Sequence, residues 1–206
     1  GVDVNVIAAR LPLDRALLGR LAGRVSISES YFLRHEAQLA AVVAHLAAGR
    51  PREILHAWSA GCGRGEEPYS LAMLGAASGL DLTVRGTDLD ADAIQVATTA
   101  RYEAWSLRQV PPAFLGAHFR RAGVAWEVRA DFRRRVELRC ESIQETLHDL
   151  APSSLDAVLF RNVGIYLGAG AVDAIYEGIA RALRPGGLLV IAATDPHPAP
   201  GLFRAD

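Results

Sequence analysis

The stretch that decides the fold reads, from Ser59 to Ser70, SAGCGRGEEPYS. It follows a strand candidate, Ile54 to Ser59, and leads into a helix candidate, Glu67 to Ala77. Its glycines stand at alternate positions, so the backbone can turn tightly and approach a ligand closely. The start of the following helix offers free backbone N–H groups to the same ligand. A strand, a glycine turn and a helix in this order predict a site for a nucleotide-type cofactor.

Strand and helix candidates alternate along most of the chain. This alternation predicts parallel strands joined by crossover helices, hence an α/β fold with a Rossmann-like sheet and helices on both faces. A turn at Arg184–Gly187 is expected to separate the last helix from the last strand. Beyond the two elements around the glycine turn, the candidates are Leu82–Thr87, Ala91–Thr99, Val136–Cys140, Leu155–Phe160, Ala171–Leu183 and Leu188–Ala193.

Two other regions depart from this alternation. Before the first strand, residues 12–24 and Tyr31–Ala48 have helical periodicity, which predicts a short N-terminal helical segment over residues 1–50 and an α/β domain over 51–206. Between Arg101 and Arg135 short strand-like runs are separated by turns, including Ala122-Gly123. These runs predict a small antiparallel β-subdomain inserted at about residues 118–135.

Composition excludes several classes of protein. The 206 residues suit one domain, and a net charge of −1 gives no bulk attraction to nucleic acid or membrane. Cys62 and Cys140 lie outside any zinc-binding spacing and predict neither a metal site nor a disulfide framework. No signal peptide is recognisable, and the longest apolar run, Leu188–Ala193, is too short to span a bilayer. A cytoplasmic protein is therefore expected.

Asp88 is the second indication of a cofactor site. It ends the strand candidate after the glycine turn, where a carboxylate can accept hydrogen bonds from both hydroxyls of a ribose. Alternatively, it caps the helix that begins near Ala91. Glu66 and Glu67 lie in the first turn of a helix, where acidic residues favour capping. The G-x-G-x-G spacing is closer to that of methyltransferases than to that of dinucleotide-binding proteins.

Four segments together resemble the CheR-type family, which methylates glutamates on chemotaxis receptors. The glycine turn with Glu-Glu-Pro-Tyr-Ser is the most specific of them. Ile27–Arg34 is similar to the family's stretch ending in Phe-Phe-Arg, with Leu33 in place of the second Phe. Thr87–Asp90 resembles its Thr-Asp-Ile-Asp segment, and Phe160–Tyr166 its Arg-Asn-Val-x-Ile-Tyr segment. The resemblance covers roughly residues 12–195.

The resemblance implies S-adenosyl-L-methionine as cofactor, S-adenosyl-L-homocysteine as product, and a role for each matching residue. Arg34 is expected at the reacting end, with Tyr166 beside the sulfonium, and Asp88 on the ribose. Ser28 and Ser30 stand where the family often has Asn and Thr, although helix N-capping explains both equally well. The other implied cofactor contacts are Ala60 and Gly61 in the turn, Glu67, Ser142 and Ile143 by the adenine, and Arg161 and Asn162 on the pocket floor.

The implied chemistry fits the residues present. A glutamate carboxylate is ionised near neutral pH and needs no general base to attack a methyl group, and the six histidines are scattered. Arg34 either orients that carboxylate or binds the carboxylate of the cofactor. Tyr166 is alternatively a packed aromatic residue.

The implied partner is the cytoplasmic domain of methyl-accepting chemotaxis receptors, with no nucleic acid and no membrane insertion. Seven arginines in and after the insertion suit an acidic helical substrate, or simply form a solvated strand face. They are Arg120, Arg121, Arg129, Arg133, Arg134, Arg135 and Arg139.

Two departures from the family qualify the expected fold. The larger N-terminal helical domain is reduced to a short candidate, and the C-terminal hairpin of the methyltransferase sheet is expected to be missing. The proline-containing tail suits a link to an additional C-terminal domain. Two other functions remain open: methylation of another substrate on the same scaffold, or a cofactor-binding regulatory module.

Overall fold

A computed structural model of the chain describes residues 30–49 and 54–204. The helix candidate at 12–24 and Ser28 lie outside these residues. Five strands form one parallel sheet in the order β6-β2-β1-β7-β8, and three short strands form a second sheet in the order β3-β5-β4. The strands are β1 Leu55–Ala60, β2 Leu82–Asp88, β3 Arg101–Tyr102, β4 Phe119–Ala122, β5 Ala125–Val128, β6 Val136–Cys140, β7 Leu155–Phe160 and β8 Leu183–Ile191.

Helices connect the parallel strands and confirm the predicted α/β fold. The α-helices are α1 Glu36–Gly49, α2 Glu66–Ala77, α3 Ala91–Thr99, α4 Pro112–His118, α5 Ala130–Arg133, α6 Ile143–Asp149 and α7 Ala169–Ala182. Two 3₁₀ turns, Ala104–Leu107 and Gly164–Tyr166, complete the described elements.

The two faces of the parallel sheet bury separate apolar layers, because successive side chains of a strand point in opposite directions. Ala57 of β1 and Leu159 of β7 pack with α1 and α2. Trp58 and Val158, one position away, pack with α7 and with Leu147 of α6. The sheet is therefore covered on both faces, as a parallel sheet with near-continuous apolar strands requires.

The strand order places a topological switch at the centre of the sheet. β1 pairs with β2 on one side and with β7 on the other, and all the pairs are parallel. The carboxyl ends of these strands meet at one edge, which is where open α/β sheets bind ligands. The glycine turn after β1 and the segment after β7 flank the switch point.

The second sheet confirms the antiparallel insertion. β4 and β5 form a hairpin around Gly123, whose φ of 68° suits glycine, and β3 pairs with the other side of β5. The core under this sheet contains Tyr102, Phe119 and Val128. It also contains Phe32, which comes from outside the insertion and is fully buried.

The predicted helix start at Tyr31 is wrong, because α1 begins at Glu36. Leu33 and His35 have positive φ values of 62° and 55°, which interrupt helical geometry. The backbone N–H of Leu33 donates instead to the Ser70 hydroxyl at 2.9 Å. A tertiary contact therefore overrides the local periodicity before residue 36.

The predicted boundary between the last helix and the last strand is also wrong. β8 already pairs at Leu183 with Leu155, and Ala157 then pairs with Leu188. Between these two pairs, one residue of β7 thus opposes four of β8, and Arg184–Gly187 form an irregularity within the strand, with Gly186 at φ 79°. Among the described residues β8 is an edge strand of the sheet.

Within residues 30–49 and 54–204, no helix has the length and apolar character needed to span a membrane. The same residues contain no group of three or more His, Cys, Asp or Glu side chains placed to hold a metal ion. Cys62 is a buried free thiol and Cys140 an exposed one.

Candidate functional site

The glycine turn is folded against the end of β2. The backbone N–H groups of Gly61 and Cys62 both donate to the Thr87 carbonyl, at 2.8 and 2.9 Å. Gly61, Gly63 and Gly65 have φ values of 72°, 55° and 87°, a region that favours glycine. Ala60 ends β1 directly before this turn. The chain thus reverses direction at the sheet edge through three residues whose backbone conformation favours glycine.

Asp88 lies beside the turn and is not a helix cap. Its two carboxylate oxygens accept hydrogen bonds from the backbone N–H groups of Gly63 at 2.7 Å and Asp90 at 2.9 Å. Asp90 is the cap of α3, since its side chain accepts from the N–H groups of Asp92 and Ala93. Burial raises the pKa of Asp88, although the two N–H groups oppose the shift. The capping alternative for Asp88 therefore fails.

Glu67 forms a buried ion pair across the switch point. Arg161 Nη1 donates to Glu67 Oε2 at 2.8 Å, and the Ser59 hydroxyl donates to Glu67 Oε1 at 2.7 Å. The Arg161 side chain is 2% exposed and that of Glu67 19%. Burial raises the pKa of Glu67, and Arg161 lowers it by a smaller amount. A helix cap would face its own backbone, whereas Glu67 joins β1 to the end of β7.

Arg34 is brought to the same place by its backbone. Arg161 Nη2 donates to the Arg34 carbonyl at 3.1 Å, so one guanidinium holds both Glu67 and the segment before α1. Ser30, at the start of that segment, is partly buried. Tyr166 lies in the 3₁₀ turn after β7 and is 48% exposed, which fits an open position and not a packed core residue.

Asn162 adopts a left-handed conformation, with φ 59°, at the end of β7. A buried carboxylate holds this turn: Asp195 accepts from the N–H groups of Asn162 at 2.6 Å, Val163 at 3.0 Å and Ala192 at 3.0 Å. Asp195 is not among the residues predicted from the sequence. Its signal is an acid soon after the last strand, comparable to the position of Asp88 at the end of β2.

Ser142 and Ile143 lie where β6 ends. Ser142 caps α6 in a reciprocal capping box with Glu145, and Ile143 begins the helix. The preceding residue, Glu141, donates its N–H to the Asp88 carbonyl at 3.1 Å, so the start of α6 adjoins Asp88. Ser142 and Ile143 therefore lie near Asp88, the residue predicted to bind the ribose. This position agrees with their predicted contact to the adenine.

The arrangement fits S-adenosylmethionine at three points. A Cβ at Gly63 would meet nothing within 4 Å, so the space next to this residue of the turn is open. Each oxygen of Asp88 accepts one backbone N–H, and an ionised carboxylate retains capacity for the hydroxyls of a ribose. The buried Nε of Arg161 has no hydrogen-bond partner, which leaves an unused donor beside Glu67 at the end of β7.

Comparisons with known proteins agree with this geometry. Residues 28–202 match the family model described as CheR methyltransferase, SAM binding domain. The chain is 26% identical over 185 residues to chemotaxis protein methyltransferase 2 of Vibrio cholerae, covering 83% of this chain and 63% of that protein. It is 32% identical over 152 residues to chemotaxis protein methyltransferase 1 of Pseudomonas aeruginosa, covering 68% and 54%.

The described fold also resembles solved methyltransferase structures. The bifunctional kinase-methyltransferase WbdD superposes with a TM-score of 0.50 at 16% identity, covering 92% of this chain and 35% of that one. At this identity the likeness concerns the fold alone. The chain spans 63% of the length of the Vibrio relative and 54% of the Pseudomonas relative.

Proposed function

Because the chain belongs to the CheR methyltransferase family, we propose that it transfers a methyl group from S-adenosylmethionine to glutamate side chains of chemotaxis receptors. The matched domain is the family's S-adenosylmethionine-binding domain, so this compound is the cofactor. When bound, it supplies an electrophilic methyl group on a sulfonium. The proposal assigns every other contribution to positioning by residues of the chain.

The cofactor contacts proposed for the chain lie along the carboxyl edge of the sheet. Asp88 accepts hydrogen bonds from the ribose hydroxyls, and Ser142 and Ile143 lie beside the adenine. Glu67 and Asn162 contact the remainder, together with Ala60 and Gly61 at the end of β1. Arg161 favours the ionised form of Glu67 and holds its side chain in place. Ser30 closes the site from the segment before α1, and Ser28 is proposed for the same role from outside the described residues.

Arg34 is proposed to orient the glutamate carboxylate, and Tyr166 is proposed to lie beside the sulfonium. A guanidinium orients a carboxylate well, because its N–H groups match the two oxygens. The single observation that carries this assignment is the 3.1 Å bond from Arg161 to the Arg34 carbonyl, which supports a position next to the Glu67 pocket. Tyr166, which is 48% exposed, approaches from the 3₁₀ turn after β7. No general base is needed, since the attacking carboxylate is ionised.

The proposal is tested with methyl-labelled S-adenosylmethionine and cytoplasmic fragments of receptors from the host of this protein. Label on glutamate esters is released as methanol by mild alkali, whereas label on amines is stable. We expect alkali-labile label with the wild-type chain and none with Arg34→Ala. Binding of S-adenosylhomocysteine to each variant, measured by calorimetry, controls for folding.

The outcomes separate the proposed function from its alternatives. Alkali-stable label, or label on a small molecule, would assign a different substrate to the same scaffold. Cofactor binding without transfer to any receptor fragment would indicate a regulatory module and defeat the proposal. Full transfer by Arg34→Ala would remove Arg34 from the mechanism while leaving the reaction intact.

A further inference from the structure

The core of the antiparallel insertion is completed by a residue that lies two positions before Arg34. Phe32 is fully buried. The centroid of its ring lies 4.7 Å from that of Tyr102 in β3 and 4.9 Å from that of Phe119 in β4, and both ring pairs are edge to face. Edge-to-face pairs at these distances are favourable beyond simple burial. The insertion and the segment carrying Arg34 therefore form one packing unit.

The backbone around Phe32 is fastened to the insertion as well. The N–H of Phe32 donates to the carbonyl of Ser106, in the 3₁₀ turn after β3, at 2.9 Å. Next to it, the guanidinium of Arg108 lies 3.9 Å from the ring centroid of Tyr31 and 4.1 Å from that of Trp105. Two consecutive residues, Tyr31 and Phe32, are thus held by the same short turn.

Helix α2 holds the next residue. The Ser70 hydroxyl accepts a hydrogen bond from the N–H of Leu33 at 2.9 Å and donates one to the Glu66 carbonyl at 2.6 Å. Glu66 is 1% exposed, and its Oε1 accepts the Ser106 hydroxyl at 3.1 Å. Ser70 and Ser106 therefore meet at Glu66, which connects α2 to the insertion underneath the Arg34 segment.

These contacts explain how a strained segment is maintained. Leu33 and His35 both have left-handed φ values, and such conformations persist only where the surroundings over-determine them. Arg34 lies between the two. Its carbonyl is held by Arg161 at 3.1 Å. Hence residues 31–34 are each attached to a different group before α1 begins.

On the basis of the proposed function, we infer that Phe32, Ser70 and Ser106 are positioning residues that set Arg34 in its reactive place. The insertion then has a role in the reaction itself, because its core and its 3₁₀ turn fix the segment that carries the arginine. Displacements of about 1 Å in a positioned group are enough to lower turnover by roughly a hundredfold. Loss of one fastening contact is expected to have a smaller effect.

Ser70→Ala tests the inference with the least disturbance, since it removes one hydroxyl and leaves the apolar packing of Phe32 intact. We expect kcat for receptor methylation to fall about tenfold, with KM for S-adenosylmethionine within about twofold of wild type. The amide proton of Leu33 should exchange about fivefold faster, because it loses its acceptor. The binding stoichiometry of S-adenosylhomocysteine should be unchanged, which shows that the site is folded.

Thr98→Val is the matched control. The Thr98 hydroxyl makes the same kind of bond, to the carbonyl four residues earlier in α3, at 2.8 Å. Its removal should leave kcat and the exchange of Leu33 at wild-type values. Phe32→Leu is the second variant. It keeps an apolar side chain in the core but loses both ring contacts, and it should lower kcat more than Ser70→Ala does.

The results distinguish this inference from the proposed function. If the wild type methylates receptor glutamates and Ser70→Ala and Phe32→Leu turn over at its rate, the positioning role is wrong and the function stands. If the wild type transfers no methyl group to any receptor fragment, the proposed function fails and the inference fails with it.

Discussion

Two arginine–carboxylate pairs in different regions of the molecule have the same chemistry and differ in their surroundings. Arg161 pairs with Glu67 at the edge of the parallel sheet, where the side chains are 2% and 19% exposed. Arg134 pairs with Asp131 on the insertion side, where they are 70% and 77% exposed. The first pair is held in a low-dielectric site and the second in water, so only the first is expected to matter energetically.

The surface of the insertion and of the residues just after it is also less basic than its arginine content indicates. Five of the seven arginines named there form ion pairs: Arg120 and Arg133 with Glu127, Arg134 with Asp131, Arg135 with Asp81, and Arg139 with Glu137. Arg121 and Arg129 donate to backbone carbonyls. This pairing favours the interpretation of the arginines as a solvated strand face over a strongly cationic docking surface.

The largest effect in this comparison is expected from Glu67→Ala. It leaves the buried guanidinium of Arg161 without its counter-ion, a change that costs about 3–5 kcal/mol in comparable buried pairs. Urea denaturation should show this loss in the free energy of unfolding. Calorimetry should show a large loss of S-adenosylhomocysteine affinity as well.

Glu67→Gln is the control for that substitution. The amide keeps the shape and an acceptor for the Ser59 hydroxyl, and removes the charge, so a smaller loss is expected. If Glu67→Ala unfolds at the same urea concentration as the wild type, the buried pair contributes no more to stability than an exposed pair does. The proposed difference between the two regions would then be wrong.

The sheet edge could be predicted from sequence because its determinants are local. Gly61, Gly63 and Asp88 follow strand candidates directly, and parallel strands bring their carboxyl ends together. The connections made by Glu67 were not accessible in this way. Spacing alone assigned it to helix capping, and its actual partner is 94 positions away. Only the family resemblance pointed to the pocket.

The errors have the same physical origin. Helix α1 was expected to start at Tyr31 because the periodicity extends that far, but Phe32 packs into the insertion and Leu33 bonds to Ser70. Asp195 was missed because nothing in its neighbours shows that three N–H groups converge on it. In each case a long-range contact, absent from any local pattern, decides the conformation.

Gly61 and Gly63 allow the same comparison within the glycine turn, because one is enclosed by a neighbouring side chain and the other is open. Both have positive φ, so a side chain costs about 1 kcal/mol at either. At Gly61 a Cβ would also lie 2.4 Å from Val163 Cγ2, whereas at Gly63 it would meet nothing within 4 Å. Overpacking typically adds 1–3 kcal/mol, so Gly61→Ala should lose about 2–4 kcal/mol and Gly63→Ala about 1.

Thermal and urea unfolding of the two glycine variants measure this difference directly. Equal losses would mean that Val163 moves aside at no cost, and that the turn is not braced by the segment after β7. Gly63→Ala should in turn reduce cofactor affinity more than its stability loss suggests, because its methyl group would occupy open space beside the turn, where the cofactor is proposed to bind.

Cofactor affinity should depend on pH through Asp88. Burial raises the pKa of this carboxyl above 3.8, so the folded protein takes up the proton at a higher pH than the unfolded chain. The protonated form accepts ribose hydroxyls poorly. As pH falls through the raised pKa, affinity for S-adenosylhomocysteine should drop, by up to about tenfold per pH unit. The same shift means that folding stability contributed by Asp88 decreases as pH rises through this window.

Asp88→Asn and Glu67→Gln separate the contributions to this profile. The pKa of Glu67 is also raised by burial, so it titrates in the same direction. Calorimetry across the acidic range should give a flatter profile for Asp88→Asn than for wild type, and a flat one for the double variant. An unaltered slope in Asp88→Asn would place the titrating group elsewhere.

The smallest effect is expected for the exposed pair. A double-mutant cycle with Arg134→Gln and Asp131→Asn should give a coupling free energy of about 0.5 kcal/mol or less, because water screens the charges and both side chains lose rotamer freedom on pairing. Raising the salt concentration should reduce even this value. A coupling energy above about 2 kcal/mol, comparable to that of a buried pair, would mean that the insertion surface is covered in solution. The difference between the two regions would then disappear, since exposure is the property that separates them.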